Sequence, residues 1–125
     1  MKILVVDDEV DVRDLFLQRF RREIKKDLMS FSFAHSGEEA LQYLQQHPSE
    51  AVLILSDINM PGMTGLELLR QIRSNYKKPP PIVMMITAYG DSENRSKAHE
   101  YGADDFLTKP LDFADLKAKL FNDHD

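Results

Sequence analysis

The sequence predicts an α/β fold in which a five-stranded parallel sheet is covered by helices on both faces. Three observations carry that prediction. Five short strand-like runs, three of them rich in valine, isoleucine and leucine, alternate with segments whose apolar residues recur at spacings of three and four. Three of them, Ile3–Val6, Ala51–Leu55 and Ile82–Ile86, are apolar throughout instead of alternating with polar residues, which is how strands buried on both faces read. The strand-helix alternation continues to the last helix with no internal repeat and no linker, so residues 1–125 are expected to form a single domain.

Taken in order, Ile3 to Val6 is the first strand, ended by the acids Asp7, Asp8 and Glu9. A helix is expected from about Val10 to Lys25, with Val12, Leu15, Phe16, Phe20 and Ile24 forming one apolar stripe. Phe31 to Ala34 is the second strand. Ser36-Gly-Glu-Glu39 has the form of a capping box, and the helix it opens carries Ala40, Leu41 and Leu44 and stops near Pro48. Ala51 to Leu55 is the third strand, followed by Asp57 and a loop with Pro61 and Gly62. Thr64-Gly-Leu-Glu67 is a second capping box, and Leu66, Leu69 and Ile72 form the stripe of the third helix. Pro79-Pro80-Pro81 makes a stiff extended connection. Ile82 to Ile86 is the fourth strand, closing at Thr87. A more polar fourth helix runs from about Ser92 to Glu100 and ends by Gly102. Asp105 to Leu107 is the fifth strand, and Asp112 caps a fifth helix bearing Phe113, Leu116, Leu120 and Phe121. Right-handed crossovers leave few topologies for five such units, and the flavodoxin-like order 2-1-3-4-5 is the common one.

Composition narrows the function. The chain is 42% hydrophobic and 30% charged, an ordinary globular balance. Its net charge of −5 argues against direct nucleic-acid binding. The one basic cluster, Arg19, Arg21, Arg22, Lys25 and Lys26, reads as a solvated helix face. With no cysteine, disulfides, thiolate metal sites and a cysteine nucleophile are all excluded. No apolar run is long enough for a signal peptide or a membrane span, so a cytoplasmic location is expected. The four histidines, His35, His47, His99 and His124, show no ligand spacing and read as surface or packing residues.

The placement of polar residues points to chemistry. Asp7 and Asp8 follow the first strand, Asp57 the third, Thr87 the fourth and Lys109 the fifth. In an open α/β sheet those strand ends share one edge, where ligands bind. If the first and third strands are neighbours, three carboxylates converge. Two carboxylates about 4 Å apart repel by roughly 4 kcal/mol at an effective dielectric near 20. A hard divalent cation held by oxygens, Mg²⁺ for preference, would relieve the repulsion. Lys109 offers an ammonium for a phosphoryl oxygen and Thr87 a hydroxyl. A carboxylate in such a site can act as nucleophile and form an acyl phosphate. Any one of these residues alone reads as a turn former, a cap or an exposed side chain; their conjunction on one edge is what signals a site.

The chain resembles the response-regulator receiver family of two-component signalling over essentially its whole length. The matching pieces are Ile3-Leu-Val-Val-Asp-Asp-Glu9, Leu55-Ser-Asp-Ile-Asn-Met-Pro-Gly62, Met63-Thr-Gly-Leu-Glu67, Ile86-Thr-Ala88, Gly102-Ala-Asp-Asp105 and Phe106-Leu-Thr-Lys-Pro110. The resemblance implies a phosphoacceptor at Asp57, charged by the phosphohistidine of a sensor kinase or a phosphotransfer protein. It implies Mg²⁺ held by Asp8, Asp57 and the Asn59 backbone carbonyl, with Asp7 acting through a water. Lys109 would bind the phosphoryl oxygen, a cis peptide would precede Pro110, and Thr87 and Phe106 would move inward on activation. Those movements would alter the face made by the fourth helix, fifth strand and fifth helix, toward an output protein or a C-terminal effector domain. A phosphorylation-dependent dimer is a further partner this reading allows. Asn59 and Tyr89 would tune dephosphorylation, and bulky Tyr89 is expected to limit water access. The domain would be no enzyme beyond its own phosphotransfer and slow self-dephosphorylation. Phe106 departs from the family's frequent tyrosine, which removes any output contact needing that hydroxyl.

Three rivals stand beside this reading. A haloacid-dehalogenase-type phosphohydrolase would place its nucleophile after the first strand with an acid two residues on, whereas Asn59 stands two residues after Asp57. A flavin-binding module would need a hydroxyl- and glycine-rich phosphate loop where Asp7-Asp8-Glu9 stands. A degenerate scaffold would lack one of the site residues, and none is missing.

Overall fold

The computed structural model describes residues 1–47, 52–76, 81–88 and 90–122. Tyr89, Pro48, Ala51, Pro79, Pro80 and His124, which figure in the expectations above, lie outside the described residues.

The elements are β1 Lys2–Val6, α1 Val12–Arg19, α2 Arg21–Lys25, β2 Ser30–Ala34, α3 Gly37–Gln46, β3 Val52–Asp57, α4 Gly65–Asn75, β4 Ile82–Ala88, α5 Ser92–Glu100, β5 Asp105–Lys109 and α6 Phe113–Asn122. The strands form one parallel sheet in the order β2-β1-β3-β4-β5, as predicted. The fourth and fifth helices of the predicted order are therefore α5 and α6.

The added helix comes from a break at Phe20, where the sequence predicts continuity. Phe20 has φ −107° and ψ 20°, while its ring is fully buried against Phe16, Phe31 and Phe113 at centroid separations of 6.0, 5.2 and 6.0 Å. The backbone leaves helical values there, yet Val12, Phe16, Phe20 and Ile24 of the expected stripe all pack on one core. Phe16 and Phe20 are buried, whereas Leu15 is 41% exposed. Phe121, expected on the apolar stripe of the last helix, is also exposed. Leu68, outside the stripe that the sequence predicts, is buried beside Leu69.

Strand side chains alternate strictly between two cores. Leu4, Val6, Ile54, Val83 and Met85 face α3, α4 and α5, which contribute Ala40, Leu44, Leu69, Ile72 and Ala98. Ile3, Val5, Leu55, Met84 and Ile86 face the other way, onto Phe16, Phe20, Leu116 and Leu120. Both faces of the sheet are therefore covered, which is why β1, β3 and β4 read as near-continuous apolar runs.

The helix starts follow from local chemistry. Ser36 Oγ accepts from the Glu39 N–H at 3.1 Å, and Thr64 Oγ1 from the Glu67 N–H at 3.3 Å. Glu39 reaches back to the His35 N–H at 2.6 Å, one residue beyond the usual capping-box partner. Asp112 Oδ1 accepts from Ala114 and Asp115, opening α6.

Candidate functional site at the carboxyl edge of the sheet

The register aligns the polar strand ends. Val6 pairs with Ser56, so Asp7 and Asp57 are the next step along adjacent strands. Asp57 pairs with Ile86, and Ala88 with Lys109. Carboxylate oxygens of Asp7, Asp8 and Asp57 come within 4.8 Å of one another. Asp7 and Asp57 are buried, while Asp8 is exposed.

Asp57 is held from two sides. Lys109 Nζ donates to its Oδ2 at 2.6 Å, and the Asn59 N–H approaches its Oδ1 at 3.3 Å. Asp7 Oδ1 accepts from the Glu9 N–H at 2.9 Å. Burial pushes the Asp7 carboxyl above the ordinary aspartate range; the Glu9 N–H opposes that rise, and the Asp57 charge adds to it. Burial pulls Lys109 down, but the hydrogen bond and charge of Asp57, with smaller help from Asp7 and Glu9, outweigh it and leave its pKa raised.

Three carboxylates against one ammonium leave an excess of negative charge in a partly dry pocket. The donor set is made of carboxylate oxygens alone, the chemistry a hard divalent cation takes. The residues present therefore fit a Mg²⁺ ion.

Thr87 is buried, but its Oγ1 lies 3.5 Å from the Leu107 carbonyl, a hydrogen bond at the limit of useful geometry. Phe106 is half-buried against the α3–α5 core, and the Arg95 guanidinium sits 4.8 Å from its ring centroid. The Lys109–Pro110 peptide bond is cis.

Two residues beside the site do not stand out in the sequence. His35 places Nδ1 3.1 Å from the Asp7 backbone carbonyl, so of the surface-or-packing roles expected for the histidines it takes the packing one, beside the pocket. Gly65 opens α4 directly beneath Asp57. A Cβ there would run into the Asp57 carbonyl oxygen and lie 2.8 Å from Ile58 Cα, and the Gly65 N–H bonds the Ile58 carbonyl at 2.8 Å. The available signal was a glycine inside a capping box, a costly residue for a helix unless close approach requires it.

A family model described as the response regulator receiver domain matches residues 3–121. The chain is 38% identical over 124 residues to response regulator RppA of Synechocystis, covering 96% of this chain and 49% of RppA. Among solved structures it is similar to a putative response regulator from Chloroflexus aurantiacus, with a TM-score of 0.81 and 28% identity, covering 97% of this chain and 94% of that one. It is also similar to a chain in the co-crystal structure of the Saccharomyces cerevisiae histidine phosphotransfer protein Ypd1 with the receiver domain of its downstream response regulator Ssk1. That match has a TM-score of 0.80 and 27% identity, and covers 95% of this chain and 85% of the other. The chain spans about half the length, or less, of the curated relatives it matches.

Proposed function

The chain belongs to the response regulator receiver domain family of two-component signalling, and from that premise we propose that Asp57 accepts a phosphoryl group from a phosphohistidine. The donor would be a sensor kinase or a histidine phosphotransfer protein. An Asp57 carboxylate oxygen attacks phosphorus, the phosphorus–nitrogen bond to the donor imidazole breaks with its electron pair going to nitrogen, and an acyl phosphate forms. The observation that carries this reading is the Asp57 geometry: a buried carboxylate fixed by Lys109 at 2.6 Å, beside Asp7 and Asp8.

The side chains divide the work. Lys109 neutralises the carboxylate before transfer and is placed to take a phosphoryl oxygen afterwards. Asp8, Asp57 and the Asn59 backbone carbonyl would hold Mg²⁺, with Asp7 reaching it through a water. The bound ion would supply neutralisation of the charge on the transferring phosphoryl. Thr87, loosely tied to Leu107, exchanges that contact for a phosphoryl oxygen, and Phe106 turns inward behind it. The outcome is a population shift of the α5–β5–α6 face toward an output partner or an attached effector domain. Asn59 and Tyr89 tune the rate at which water removes the phosphoryl group.

The Ypd1–Ssk1 co-crystal, in which a receiver domain is found with a histidine phosphotransfer protein, supports that donor class. The phosphohydrolase alternative is not favoured, since Asn59 occupies the position its general acid requires. The test is intact-mass measurement after incubation with acetyl phosphate and Mg²⁺, beside Asp57→Asn and an EDTA control. A metal-dependent phosphoryl adduct confined to the wild type is expected. No adduct from either acetyl phosphate or a phosphohistidine protein would end the proposal.

A further inference from the structure

The basic cluster that reads from sequence as a solvated helix face is, in three dimensions, the wall of a cleft. The cleft has a volume of about 450 Å³ and is lined by Gln18, Arg19, Arg21, Arg22, Glu23 and Lys117. It lies at the break at Phe20: Arg19 ends α1, Arg21 and Arg22 open α2, and Lys117 closes the cleft from α6.

Two of its cations are held in place by ring contacts. The Arg19 guanidinium lies 5.4 Å from the Phe113 ring centroid, and Lys117 Nζ lies 5.3 Å from that of Phe20. Contact through the π face of a guanidinium leaves its in-plane N–H donors free for an oxyanion. Glu23 is the one acid of the lining, and its Oε2 lies 3.5 Å from Lys117 Nζ. The lysine therefore takes up its charge, and its Oε1 is enclosed without a hydrogen-bond partner among the described residues. Arg19, Arg21 and Arg22 make no ion pair among the described residues. In a chain whose net charge is −5, three uncompensated guanidiniums around one cleft form a local positive field.

We propose that this cleft binds a polyphosphate group, free or carried on a nucleotide. Forked N–H donors match phosphate oxygens, and the volume falls within the range of small-ligand sites, well above the needs of a single phosphate. The site is separate from Asp57: Phe20, between the arginines, packs on Phe31 near the start of β2, toward the amino ends of the strands. A bound ligand would bridge the α1–α2 bend to α6.

The experiment is isothermal titration calorimetry of the full chain with inorganic pyrophosphate and with ATP, at low salt and in EDTA. Saturable one-to-one binding with a Kd on the order of 0.1 mM is expected, weakening as chloride rises. Arg22→Gln and Arg21→Gln, both at exposed positions, should each weaken it about tenfold while the melting temperature stays at the wild-type value. Lys109→Met should leave it unchanged. Equal affinity for the two anions would assign the site to the polyphosphate alone, and tighter ATP binding to a nucleotide. No saturable binding of either anion, undiminished binding in both arginine variants, or loss of binding in Lys109→Met would each overturn the proposal. Binding of an acidic peptide or an anionic vesicle in place of both anions would overturn it too.

Discussion

Replacing Asp7 with asparagine should stabilise the protein in the absence of metal. Asp7 and Asp57 are both buried and present carboxylate oxygens no more than 4.8 Å apart. At an effective dielectric near 20, that separation corresponds to a repulsion of about 3.5 kcal/mol. The Lys109 ammonium offsets part of it, and the amide oxygen of the substituted side chain would keep the acceptor that the Glu9 N–H now uses. A net gain of roughly 1–2 kcal/mol, or about 5 °C in Tm, is expected near neutral pH. The sign with pH follows from the raised pKa of Asp7. Because the folded state binds that proton more tightly than the unfolded chain, ionised Asp7 costs stability at neutral pH. The cost fades as pH falls through the raised folded value and is gone below 3.8, the ordinary value. The advantage of Asp7→Asn should fade over the same window. Saturating Mg²⁺ should remove most of that advantage or reverse it. At a hundred times its Kd an ion adds about 2.7 kcal/mol to the wild type, whereas a variant that binds tenfold more weakly gains only about 1.4 kcal/mol. Urea melts in EDTA and in Mg²⁺, from pH 7 down to pH 3.5, provide the measurement. A variant less stable than wild type in EDTA, or one that gains as much from Mg²⁺, would refute this account of the acidic pocket.

Three other substitutions probe the supports of the site. Lys109→Met should lower stability by about 1–2 kcal/mol at neutral pH, less than breaking a fully buried pair costs, because the lysine side chain is 41% exposed. Its raised pKa means that this contribution is complete below the unfolded value and disappears as pH rises through the folded one, so melts at pH 7 and pH 11 should differ in the size of the loss. Gly65→Ala should cost about 2 kcal/mol by urea melt despite alanine's better helix propensity, since the new Cβ meets backbone at Asp57 and Ile58; a neutral result would mean that α4 can slide. Arg73→Met should cost about 2 kcal/mol, because the guanidinium donates to the carbonyls of Pro81 and Gly102 and to Asp104. Hydrogen exchange should then locate the loosening at the Val83 amide, which Asp104 Oδ2 also holds.

Much of the fold is legible because the central strands β1, β3 and β4 carry long apolar runs into both cores, and because the caps have partners within four residues. Ser36, Thr64 and Asp112 act through such local bonds, so sequence spacing suffices to find them. The break at Phe20 was hidden because its cause is nonlocal: Phe31 and Phe113 lie on other elements, and the 3.6-residue periodicity continues through the bend. Leu15 alone of that stripe leaves the core, while Val12, Phe16, Phe20 and Ile24 stay on it across the break. At the site, the carboxylates and Lys109 could be placed because strand ends share an edge in this topology. His35 and the direction of the Thr87 hydroxyl could not be, because neither follows from position along the chain.

The distribution of tight and loose contacts along β4 and β5 bears on how such a site can switch. At the amino ends of these strands Arg73 and Asp104 bind Pro81, Val83 and Gly102 through bonds of 2.6 to 3.0 Å. At the carboxyl ends Thr87 holds Leu107 at 3.5 Å, and Lys109 is tied to Asp57, the group proposed to change chemically. A contact at the edge of hydrogen-bond range costs little to give up, while charge-assisted bonds of 2.6 to 2.8 Å hold the base. Under the proposed phosphorylation of Asp57, new phosphoryl contacts worth only about a few kcal/mol would suffice to move Thr87 and Phe106 without disturbing the strand pairing below them. The same balance holds at Phe106: with no hydroxyl to bond, its half-buried ring is held by packing on the α3–α5 core and by the Arg95 guanidinium, an interaction of about 0.5–1 kcal/mol at an exposed site that the proposed phosphoryl contacts would outweigh.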